Sequence, residues 1–224
     1  WKACIAMFGN LDERFEMPYA LRGYFENGGD VAWVLRLPSD VPGVEKPARI
    51  DSWKIAPLAG FVHADFRIEA SSPGTWAEGT QIRMHYERIT NGRGRVDLIV
   101  EVPGEEVEYM PALNAATLDA DVNRKSLFLR FTALDDEFPP VPMGPRFQDW
   151  TLPLTGGIDP SPGWSAYMNA VTVMEEAVEP SMLAFPDLYV DIRDEDSRRE
   201  ILAKALVEAE AAHDRLVLLD APNS

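Results

Sequence analysis

Three histidines, one cysteine and an excess of acidic side chains are what this sequence offers for chemistry. A metal or nucleophilic site needs such groups brought to one point, and within one element their spacing betrays it. His63, His85 and His213 show no metal spacing, and Cys4 is far from all three in sequence. His63 falls on the wetter face of an alternating stretch. Asp119, Asp121 and Asn123 alternate like the opening of a calcium loop, but Arg124 stands where that loop needs glycine, and no glutamate occupies the twelfth position. Asp135, Asp136 and Glu137 are consecutive, whereas a catalytic carboxylate pair must converge on one bond from across a cleft. Neither Gly92-Arg93-Gly94 nor Gly156-Gly157 completes a dinucleotide fingerprint, and there is no phosphate loop or nucleophile elbow. Asp187 remains as the one enzyme-like position, because it ends a short apolar strand where α/β sheets place ligands. A capping aspartate after Pro186 is its plainer role. The expectation is therefore no enzyme, with no catalytic, cofactor-binding or metal-binding residue. The alternative is an α/β enzyme or small-ligand-binding domain with a site near Asp187.

The charge balance points the same way. Against 21 basic residues stand 37 acidic ones, a formal charge of -16, which repels phosphate backbones. The one basic stretch, Arg88 to Arg95, reads better as a hairpin turning at Asn91-Gly92 with solvated arginines. No nucleic-acid partner is expected. No apolar run approaches the ~18 residues of a membrane span, so neither membrane insertion nor a signal peptide is expected and the chain reads as soluble. Cys4 cannot pair within the chain, which excludes a disulfide framework. A chain of 224 residues buries roughly 70% of its unfolded surface and needs no such staple.

Along the chain, Tyr19 to Phe25 reads as a helix with a broad apolar face, stopped by Asn27-Gly28-Gly29. Val31 to Leu37 follows as a near-continuous apolar run, the pattern of a strand covered on both faces. Pro42, Pro47 and Pro57 mark 38–60 as a loop or small excursion. Alternation over Phe61–Glu69 predicts a half-buried strand, and Thr80–Glu87 with Arg95–Val102 predicts an antiparallel hairpin. A short helix is expected after Asn114, then a strand at Ser126–Phe131, then a proline-rich, acidic loop over Ala133–Pro153. In the last third, Trp164, Tyr167, Met168, Val171, Met174 and Val178 recur at helical spacing. A strand at 182–188 follows, then a helix capped near Asp194, then a strand from Arg215 to Pro222. Strand, helix and strand in alternation predict right-handed crossovers and a largely parallel sheet.

Several of these stretches resemble one family in wording as well as in pattern. YALRGYFENGGDVAWVLRL (19–37), Ser72-Pro73-Gly74-Thr75-Trp76, Gly156-Gly157-Ile158-Asp159, Leu183-Ala184-Phe185-Pro186-Asp187, His213-Asp214-Arg215 and Leu218-Leu219-Asp220-Ala221-Pro222 occur in the order seen in contractile tail sheath proteins of phages and related injection systems. Phe8-Gly9 and Glu175-Glu176 add to the likeness, and Ala77-Glu78 departs from the family's Gly-Asn after the tryptophan.

The resemblance implies a structural subunit that polymerises around an inner tube and contracts to drive it through a target envelope. Its partners would be other sheath subunits in hexameric rings or a helical assembly, the inner tube and the baseplate, and its place the cytoplasm of the producing cell and then the assembled particle. It implies a central fragment without the N-terminal arm and C-terminal tube-contacting domain, monomeric when alone. The expected fold is mixed α+β: an α/β part of 1–37 and 151–224 with a largely parallel sheet and flanking helices, and a β-rich middle of 38–150 holding an antiparallel hairpin.

Overall fold

The computed structural model describes the chain except residues 1, 57, 90–91, 104–106, 138–143, 178, 214 and 220–224, and describes the backbone alone at 2, 3, 107 and 175. In chain order the elements are α1 (Lys2–Phe8), α2 (Met17–Glu26), β1 (Arg49–Lys54), β2 (Asp65–Ala70), β3 (Gln81–Ile89), β4 (Arg93–Glu101), β5 (Val107–Asn114), α3 (Leu118–Lys125), β6 (Leu129–Ala133), β7 (Phe147–Pro153), α4 (Trp164–Glu175), β8 (Met182–Ala184), α5 (Leu188–Asp191), α6 (Glu195–Ala212) and β9 (Leu216–Leu218). They fall into two compact units, one of Trp1–Asn10 with Lys46–Asp159 and one of Leu11–Glu45 with Pro160–Ser224.

The first unit is antiparallel. Alternating side chains build its two sheets, ordered β1-β2-β6 and β5-β4-β3-β7. Ile82, Met84 and Tyr86 on β3 and Val96, Leu98 and Val100 on β4 all point inward. They join Phe66 and Ile68 of β2, Leu129 and Phe131 of β6, Leu118 and Val122 of α3, and Ile5 of α1 in one cluster. Each fully buried chain of this kind contributes about 1.5–3 kcal/mol. The β3–β4 hairpin pairs from Gln81 with Glu101 to Ile89 with Arg93. Of its expected Asn91-Gly92 turn, Asn91 lies outside the described residues and Gly92 is left-handed, with φ 70°.

The second unit holds the helices of the last third. Tyr167 and Val171 of α4, Phe185, Leu188 and Ile192 around α5, and Ile201 and Ala205 of α6 form its core. Its sheet is the parallel pair β8–β9, in register from Met182 with Leu216 to Ala184 with Leu218. Of the expected closing strand Arg215–Pro222, Leu216–Leu218 forms β9, Arg215 and Leu219 are not strand, and 220–222 lies outside the described residues, as does Val178 of the expected apolar stripe.

The expectation of a largely parallel sheet is therefore overturned. Every pairing in the three- and four-stranded sheets is antiparallel, and among the described strands the parallel ladder is that of β8 with β9. One reason is the segment 31–37. Among the described residues it joins no ladder, and Val31 and Trp33 are 62% and 65% exposed. The apolar run satisfies a strand's composition without finding a partner row of N–H and C=O groups. Two strands also arise where prolines suggested loops. β1 pairs with β2 across a register shift between Ile50 and Trp53, and β7 adds to β3 through Trp150 and its neighbours. Helix α2 ends as expected, with the N–H of Gly28 bonded to the Phe25 carbonyl and φ 91° at Gly28. Its apolar face is covered only in part: Leu21 and Tyr24 are half-buried while Tyr19 and Phe25 stand exposed.

Candidate functional site

Asp187 lies where β8 leaves the second unit's small sheet, after Phe185 and Pro186. Asp187 Oδ1 accepts the backbone N–H of Glu16 at 2.5 Å and of Met17 at 3.1 Å. Those are first-turn donors of α2, whose own N-cap residue, Glu16, makes no side-chain capping bond and whose next residue but one is a proline. An aspartate from 170 residues away thus satisfies donors that the local sequence leaves open. Beside it, one helical turn on, Asp191 Oδ2 accepts the Tyr167 hydroxyl at 2.8 Å. Burial pushes the Asp187 carboxyl up, the two N–H donors pull it back, and the charge of Glu16 adds to the rise. Asp191 is raised by burial and by the charge of Asp187, with the Tyr167 bond opposing. Tyr167 is raised by burial first and by the neighbouring carboxylates next. Chemically the cluster positions the start of α2 and ties α4 to α5, with both carboxyls held above the ordinary value by burial.

Carboxylates elsewhere do the same positioning work. Asp40 Oδ1 accepts the N–H of Gly163 and of Ala166, both at 3.0 Å, and so caps α4 from the other side of the second unit's sequence. In the first unit, Asp159 Oδ1 and Oδ2 accept the N–H and the hydroxyl of Thr75 at 2.7 and 2.9 Å. Glu78 accepts the N–H of Gly157 at 2.5 Å. The Ser72–Trp76 and Gly156–Asp159 stretches, far apart in sequence, are therefore tied to one another. Bridges of Lys46 with Ile158 and of Pro47 with Gly74 run through the same junction.

The remaining sequence candidates stay apart. His63 Nδ1 lies 3.0 Å from the Asp135 carbonyl and is largely enclosed, while the Asp135 carboxylate accepts the N–H of Ala64 and Asp65. His85 Nδ1 is 2.6 Å from Asp149 Oδ1 and its ring stacks on Phe147. His213 is the left-handed C-cap of α6, with φ 61°. Asp119 and Asp121 sit in the first turn of α3, where Asp121 accepts the Thr117 hydroxyl and pairs with Arg124. Cys4 is half-buried in α1, which raises its thiol. Among the described residues, no three His, Cys, Asp or Glu converge as a metal site, and no helix is long and apolar enough to cross a membrane.

Sequence reading missed Asp40, Asp191 and Tyr167. The spacing of Asp187 and Asp191, four apart, was the one available signal for the cluster. Nothing in the sequence near Asp40 announces a helix begun by Trp164. Compared with known proteins, the chain matches no family model and no curated protein.

Proposed function

We propose that this chain is the core of a structural subunit of a contractile sheath, polymerising around an inner tube and contracting to drive that tube through a target envelope. No catalytic residue and no cofactor are assigned to it. Its partners are copies of itself in rings, the tube and a baseplate. The ordered motif resemblance motivates this function, and one observation carries it: the residues of those motifs act as internal ties. Asp159 holds Thr75, and Asp187 holds the start of α2. Such ties suit a subunit that bears load. Exposed apolar side chains on the second unit, among them Trp33 and Leu216, suit a subunit that buries them against neighbours.

Electron microscopy of particles from cells that express the whole gene with its neighbours tests the proposal. Tubes containing this chain, in long and shortened forms, are the expected result. A dispersed product with no tubular particle sinks it. The second reading, a ligand-binding α/β domain, draws on the raised carboxyls of Asp187 and Asp191. A thermal-shift screen against nucleotides and metals separates the two, since only that domain gains stability by mass action.

A further inference from the structure

We propose that Asn27 is a self-modification site: its side-chain amide closes on the nitrogen of Gly28 to a cyclic imide, releases ammonia, and is opened by water to aspartate or isoaspartate in the C-terminal cap of α2. The inference is independent of the sheath reading.

Both reacting groups stand in the open. Asn27 is the exposed C-cap of α2, with φ -96° and ψ 18°. The nucleophile is the backbone nitrogen of Gly28, which has no side chain of its own to shield it, and nothing lies within 4 Å of where a Cβ on Gly28 would stand. The electrophile is the side-chain carbonyl carbon of Asn27, whose Nδ2 donates to the Gly23 carbonyl at 2.8 Å. In the first step the bond from the Gly28 nitrogen to Asn27 Cγ forms and the bond from Cγ to Nδ2 breaks. The proton of the Gly28 N–H leaves with the amine as ammonia. One water then adds to either carbonyl of the ring, which opens to aspartate or to isoaspartate.

The folded cap restrains this step. The N–H of Gly28 bonds the Phe25 carbonyl at 3.1 Å and the N–H of Gly29 bonds the Tyr24 carbonyl at 2.9 Å, a double closure of the helix end. At ψ 18° the Gly28 nitrogen is turned away from the Asn27 side chain, so the end of α2 must open before the ring closes, and helix ends open at little cost. Asn123 shows the contrast. It lies within α3, its Nδ2 donates to the Phe131 carbonyl and its Oδ1 accepts the Phe131 N–H, both at 2.8 Å, and Arg124 follows it. The product weakens the cap. An ionised carboxylate at 27 has no donor for the Gly23 carbonyl and places negative charge at the negative end of the helix dipole. Isoaspartate also inserts an extra backbone atom where the two cap bonds need ordinary spacing.

Tryptic mapping by mass spectrometry of the whole chain, held for days in mildly alkaline buffer, tests the proposal. The peptide Gly23–Arg36 is expected to gain the mass of an amide exchanged for an acid, more slowly than the same peptide free in solution, while Asn123 keeps its amide. The pair Asn91-Gly92 falls on a different tryptic peptide and is read apart. An unchanged Asn27 in the folded chain over several times the period that converts the free peptide overturns the site, and so does conversion of Asn123 at the rate of Asn27. The chain carrying Asn27→Asp, which stands for the product, is expected to melt about 1–4 °C below the parent. A melt no lower than the parent's overturns the damage to the cap.

Discussion

Asp40 follows the apolar segment 31–37, yet its carboxylate caps a helix that begins more than a hundred residues later. Burial alone would raise its carboxyl, but the N–H groups of Gly163, Ala166 and Ser165 outweigh burial and hold it below the ordinary value. Replacing it by alanine leaves those donors open. Loss of such a cap costs about 1 kcal/mol, so Asp40→Ala is expected to lower the melting temperature by about 2–4 °C. Gly163 is bound to the same contact, because a Cβ there would come within 2.8 Å of the Asp40 carboxyl carbon. Gly163→Ala is expected to cost about as much as losing Asp40 itself, and a melt of both variants and their double checks it, since damage to one shared contact does not add.

At the scale of elements, glycines mark where backbones meet. Gly94 of β4 completes no phosphate loop, and its reason is closeness: a Cβ would lie 2.6 Å from the Ala59 carbonyl oxygen and 2.7 Å from the Tyr86 ring. The Tyr86 hydroxyl donates to that same carbonyl at 2.7 Å, which fixes the ring against the glycine. Gly60, left-handed at φ 87° and next to Ala59, meets the same spot: a Cβ on it would lie 2.1 Å from the Gly94 nitrogen. Gly94→Ala is therefore expected to destabilise the first unit by about 1–3 kcal/mol through overpacking, measured by denaturant midpoint. The segment 31–37 makes the opposite point. A doubly covered strand would lose about 3–5 kcal/mol on truncation of its tryptophan. Trp33 is exposed in this fold, so Trp33→Ser is expected to change stability by less than about 0.5 kcal/mol. A large loss would restore the strand.

The whole molecule carries its charge of -16 partly as carboxylates that hold backbone N–H groups. Asp12 is lowered by its bond from Arg14. Asp135 is lowered because the N–H groups of Ala64 and Asp65 outweigh its burial. Stability from lowered carboxyls is present above 3.8 and lost as pH falls through their folded values, while the Asp187 and Asp191 pair runs the other way. The stability profile is thus expected to peak in mild acid, just above the ordinary carboxyl range, and to fall steeply below it; a thermal melt series across pH measures this. Light scattering of the chain alone in dilute solution is expected to show a monomer, and stable rings would contradict that.

What the residues determined by themselves is local. Period-two alternation placed Ile82, Met84 and Tyr86 inside β3, because a strand's faces alternate whatever surrounds it. Gly28 stopped α2 and Asp194 started α6, because those two caps are made within a few residues of the helix end. Only the tertiary structure decided which strands pair, since a ladder needs a partner row that no single segment contains. That is why 31–37 joined no ladder among the described strands and why β1 and β7 emerged between prolines. The Asp187–Asp191–Tyr167 cluster and the ties of Asp159 and Asp40 were hidden for the same reason: a carboxylate's role is set by the donors that folding brings to it from distant sequence.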